Sequence, residues 1–163
     1  MIDIPIRLLL VGIGATLVMD LRALILQRLF GASSLDYALV GRWVGLMPSG
    51  RFRHATIHTA ARVNGERTIG WCVHYAIGVL FAALLVLFTG VQWLYQPTFR
   101  PALAMGILSV VAPFFIMQPA LGFGIAAAKT PKPQAARLRS FMTHTTFGVG
   151  LYVAAVVADW LLQ

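Results

Sequence analysis

Residues 69–94, IGWCVHYAIGVLFAALLVLFTGVQWL, contain no Asp, Glu, Lys or Arg. At about 1.5 Å of rise per residue this run exceeds the ~30 Å hydrocarbon core of a bilayer, so it predicts a membrane-spanning helix. Trp71 at one end, with Trp93 and Tyr95 at the other, falls where interfacial aromatic side chains collect. Three further apolar runs place spans at about 5–30, 102–128 and 139–162. The expected fold class is all-α, an integral membrane bundle of four transmembrane helices forming a single domain over residues 1–163.

Local interruptions refine this pattern. Asp3 ahead of Arg7, with no clean small-x-small cleavage site beyond, reads as a retained first span rather than a secretory leader. Pro113 and Pro119 interrupt the third span and predict a kink around Met117 and Gln118, because proline lacks the backbone donor and crowds the preceding turn. The long loop at 31–68 carries Arg42, Trp43 and Val44 in an amphipathic arrangement suited to the headgroup layer. If residues 53–62 are helical, His54 and His58 share a face.

Composition agrees with a membrane protein. Mean hydropathy is +0.80 and only 11% of residues are charged, against about 25% in a soluble domain. The net charge of +8 would suggest nucleic acid in a soluble chain, but no nucleic-acid motif accompanies it, and the charge is concentrated in two loops. Arg28, Arg42, Arg51, Arg53, Arg62 and Arg67, with Lys129, Lys132, Arg137 and Arg139, make ten of the thirteen basic residues. By the positive-inside rule both loops are expected in the cytoplasm, with both termini and the 96–101 connector outside. The single Cys72 excludes an internal disulfide or a cysteine-based zinc site and reads as a small apolar residue of the span.

The candidate chemistry lies inside the spans. Asp20, His74, Gln118 and His144 come one from each span and fall at comparable depths in the inner half of the bilayer under that topology. Small residues accompany them at helical spacing: Gly12, Thr16 and Ala23 near Asp20, Gly70 and Gly78 beside His74, and Ser140 and Gly148 beside His144. Such residues mark the closely packed face of a membrane helix, so the polar groups are expected in the bundle interior. One reading is hydrogen-bonded glue between helices. The other is a site for a proton-coupled small solute or a metal ion, with Asp20 compensating charge and the imidazoles of His74 and His144 titrating or ligating.

The same residues admit other assignments. A haem would need His74 and His144 as facing axial ligands, and a haem- or quinone-associated redox protein is one alternative. A structural or accessory membrane protein without ligand is another. His54, His58 and Met117 are secondary ligand candidates. No nucleotide-binding loop, HExxH or nucleophile elbow occurs, so no hydrolase or nucleotide enzyme of those types is indicated. Expected partners are the lipid bilayer and a second copy of the chain, since four helices enclose little space.

The segments GRWVGLMPSGRFRH, GERTIGWCVHYAIG, APFFIMQPALGFGIA and HTTFGVGLY together resemble an uncharacterised bacterial family, domain of unknown function 2938. The resemblance covers nearly the whole chain. It implies a small bacterial inner-membrane protein and carries over no catalytic residues.

Overall fold

The computed structural model describes residues 3–32 and 35–162. Met1, Ile2, Ser33, Ser34 and Gln163, at the ends and in the first loop of the expected domain, lie outside the described residues. All regular elements among the described residues are helical: α1 (Asp3–Phe30), α2 (Tyr37–Leu46), α3 (Glu66–Thr89), α4 (Phe99–Leu108), α5 (Gln118–Leu121) and α6 (Pro133–Leu161), with short helical turns between them. Four helical stretches are long and apolar enough to cross a bilayer, namely Asp3–Phe30, Glu66–Thr89, Phe99–Leu121 and Pro133–Leu161. Leu17, Leu21, Leu87, Phe88, Ile116 and Trp160 remain exposed on them, as lipid-facing side chains do. The chain is an all-α, multi-pass membrane protein.

The helix ends depart from the expected spans for local reasons. Gly90, at φ +86°, stops α3 at Thr89, and Val91–Leu94 forms a separate tight turn. Trp93 is therefore not an interfacial anchor at a helix end. It is buried, and its indole N–H donates to the Thr98 carbonyl at 3.2 Å. The third span ends at Leu121 rather than near residue 128, because Gly122 adopts a left-handed conformation there. The fourth begins earlier than expected, at Pro133, where the missing N–H is harmless in a first turn. The expected kink takes the form of a π-helical turn over Pro113–Met117.

Two compact units divide the chain: one of Met1–Ser34, Tyr75–Ser109 and Met142–Gln163, the other of Leu35–His74 and Val110–Phe141. In the first, Val11, Ala15, Ala82, Leu85, Phe147 and Leu151 are among the residues of a single apolar core. Small residues let its helices approach closely. A Cβ on Gly78 would sit 2.1 Å from Thr16 Oγ1, and one on Gly106 would sit 2.3 Å from the Gly148 Cα.

In the second unit, α2 is capped at its N-terminus by Asp36, whose Oδ1 accepts from the Ala38 N–H at 3.0 Å. A smaller core of Leu39, Ile57 and Leu121 is flanked by Trp43, Met117 and Phe123. The expectation of a headgroup-lying amphipathic helix is corrected at Arg42, which is buried. Its Nε and Nη2 donate to the two carboxylate oxygens of Glu66, both at 2.8 Å. Nη1 is within 3.2 Å of the Ile57 carbonyl and 3.5 Å of those of His58 and Ala60. A bidentate carboxylate and loop carbonyls thus satisfy a charge that would otherwise have to reach water. The hydrogen bonds donated to Glu66 outweigh burial and raise the guanidinium pKa further.

Candidate functional site

The in-span polar residues acquire hydroxyl partners within their own units. In the first unit, the Tyr75 phenol on α3 donates to Asp20 Oδ2 on α1 at 3.0 Å. There too, Ser109 Oγ lies 2.6 Å from His144 Nδ1 on α6. Ser109 is buried, and its hydroxyl also donates to the Gly106 carbonyl at 2.6 Å. A hydroxyl has one proton and a carbonyl only accepts, so Nδ1–H of His144 donates to Ser109 Oγ. In neutral His144 the lone pair then sits on Nε2.

In the second unit, His74 Nε2 is 3.0 Å from the Tyr37 hydroxyl. Its ring packs against Tyr37 with centroids 4.3 Å apart and against Trp71 at 5.7 Å. Gln118, the residue immediately after the π turn, is 7% exposed. Its Nε2 reaches Ser140 Oγ at 3.5 Å, the outer limit of a hydrogen bond, and its Oε1 is buried with no partner.

The secondary candidates separate. Within residues 53–62 only Ile57–Thr59 forms a single 3-10 turn, the stretch wrapping its carbonyls around Arg42, so His54 and His58 do not share a helical face. The His54 N–H donates to the Ala120 carbonyl at 2.9 Å, and its side-chain Nε2 is buried with no partner. His58 is exposed and packs against Phe123, with ring centroids 5.9 Å apart. Met117 packs against the small core of this unit. Cys72 is a free, exposed thiol. Among the described residues no three His, Cys, Asp or Glu side chains are grouped so as to hold a metal ion.

One charged cluster was not singled out from the sequence. Arg7, 4% exposed, donates from Nε to Asp3 at 3.0 Å and from Nη1 to Asp159 Oδ1 at 2.8 Å. It also donates to the Leu94 carbonyl at 3.3 Å and lies 4.4 Å from the Tyr95 ring centroid. The Tyr95 hydroxyl donates to Asp3 Oδ2 at 3.0 Å. That donation, with burial adding to it, raises the phenol above its ordinary range. The four-residue spacing of Asp3 and Arg7 was the available signal. Asp159, 152 positions from Arg7, left none. The cluster joins α1, the connector before α4 and the end of α6, a structural role.

Comparison with known proteins places the chain in one family. The family described as Protein of unknown function (DUF2938) matches residues 9–158, and the chain belongs to it. No curated protein and no solved structure matches the chain.

Proposed function

We propose that this member of the DUF2938 family binds and moves a small polar solute together with protons through its spans. Asp20, His74 and His144 are the titrating groups, and Gln118 is the neutral polar contact. One observation carries the reading: these three titratable groups each have a hydroxyl partner, Tyr75 for Asp20, Tyr37 for His74 and Ser109 for His144. A phenol both donates and accepts, so Tyr75 and Tyr37 can take a proton on one side and release one on the other, while Ser109, its own proton held by the Gly106 carbonyl, orients the His144 imidazole. Ionisable groups in apolar spans carry an energetic cost that function commonly explains.

Protons and a polar solute are favoured over a metal ion, because no three-donor group is assembled among the described residues. Haem is disfavoured by the hydrogen bond that engages His74 Nε2. The proposed setting is a bacterial inner membrane with residues 31–68 and 129–139 in the cytoplasm and both termini outside. A homo-oligomer would provide the space that one small bundle lacks.

The test is proton flux into lipid vesicles containing the purified protein and an internal pH-sensitive dye. Flux above that of empty vesicles, lost in Asp20→Asn and His144→Gln while helical content is retained, supports the reading. Wild-type flux equal to that of empty vesicles contradicts it.

A further inference from the structure

Gln118 stands where the third span is broken. Its N–H donates to the Pro113 carbonyl across the π turn, and the following Pro119 has no N–H to give. A side-chain amide carries two donors and an acceptor oxygen. Here the donor side has only a 3.5 Å contact to Ser140, and the buried acceptor has none.

The loop at His54 and Ala55 is laid directly onto the same short segment. The His54 N–H bonds the Ala120 carbonyl at 2.9 Å. Gly122, at φ +89°, lies so close beneath that a Cβ there would sit 2.2 Å from the Ala55 carbonyl oxygen and 2.9 Å from that of His54. Backbone contact therefore fixes the position of His54, and its buried Nε2 is the second polar atom without a partner. Buried polar atoms are overwhelmingly hydrogen-bonded, so two orphans on segments in direct contact call for a common explanation.

We infer that His54 and Gln118 form a binding subsite for a small neutral molecule bearing an amide or urea group. An N–H of such a molecule donates to Gln118 Oε1, and its carbonyl oxygen accepts from His54 Nε2–H. Neutrality follows from the surroundings: Arg42, the buried charge of this unit, is already engaged by Glu66 and loop carbonyls. A charged ligand would be buried without a counter-charge. Irregular backbone at membrane depth is tolerated where it is enclosed by protein or lines a site, which fits the π turn beside Gln118. The inference rests on the proposed function in taking Gln118 as part of the solute path, and it names the chemical class of that solute.

The test uses the full chain in lipid nanodiscs, with acetamide as the probe in saturation-transfer NMR and urea as competitor, at uniform pH. The expected result is a saturable acetamide signal that urea displaces. It should weaken about tenfold in Gln118→Met and in His54→Phe, the loss of one buried hydrogen bond, while the exposed-site control Arg100→Gln keeps it. Absence of saturable acetamide binding in wild type, which would leave bridging water as the occupant, overturns the inference. So does a signal that both variants retain, and if one variant fails to fold the other decides. Because no proton gradient is applied, binding that persists without vesicle proton flux refutes the transport reading and not this site, and the converse result refutes only the site.

Discussion

Ser109 Oγ and His144 Nδ1 lie 2.6 Å apart, beside the point where Gly106 and Gly148 bring their helices almost into backbone contact. The Gly106 carbonyl takes the serine proton, so the serine oxygen accepts from the imidazole. The contact thereby selects one tautomer of His144. Histidine-selective 15N NMR on the protein in bilayers is expected to find Nδ1 of His144 protonated. Ser109→Ala should abolish that preference and cost about 1 kcal/mol by removing the hydroxyl partner of a half-buried donor. A wild-type His144 protonated on Nε2 alone would contradict the assignment.

Arg42 and Glu66 form the internal support of the second unit. Arg42→Ala leaves Glu66 and three loop carbonyls without their shared donor, and breaking a buried pair from one side costs about 3–5 kcal/mol. Arg42→Lys keeps the charge but loses the bidentate fork, so it should fall between wild type and Arg42→Ala. Thermal unfolding in detergent, followed by circular dichroism, checks the order. Equal melting temperatures for all three proteins would show that the pair is dispensable.

Tyr95 gives the Arg7 cluster a dependence on alkaline pH. Its phenol is raised by donation to Asp3, so the neutral form is favoured in the folded protein. The stability this contributes is fully present below the unfolded phenol value of about 10 and is lost as pH rises through the higher folded value. Melting temperature measured from about pH 8 to 11 should therefore fall more steeply in wild type than in Tyr95→Phe. Parallel profiles would contradict the coupling.

The four spans were legible because each is a run of apolar residues longer than a bilayer is thick, and that signal is local. The break at Pro113 and Pro119 was legible for the same reason, since proline acts within one turn. What could not be read depends on distant partners. Arg42 looked like a headgroup-facing residue because Glu66, which holds it inside, lies 24 positions on. Trp93 looked interfacial because nothing in the apolar run announced that Gly90 would end the helix and fold the indole inward. The hydroxyl partners of Asp20 and His144 were hidden likewise: Tyr75 is 55 positions from Asp20, and Ser109 is 35 from His144. The chain pattern marked polar residues inside spans and left the choice of their partners to packing.

The central claim is that hydroxyl partners make the in-span carboxylate and imidazoles proton-handling groups rather than interhelical glue. Its most direct test is the vesicle proton flux of a triple variant, Tyr37→Phe, Tyr75→Phe and Ser109→Ala, which keeps Asp20, His74 and His144 and removes only their oxygen partners. The expected result is a flux reduced to that of empty vesicles while the spans remain helical. A triple variant that melts at lower temperature yet carries protons as fast as wild type would contradict the account and leave those contacts as glue.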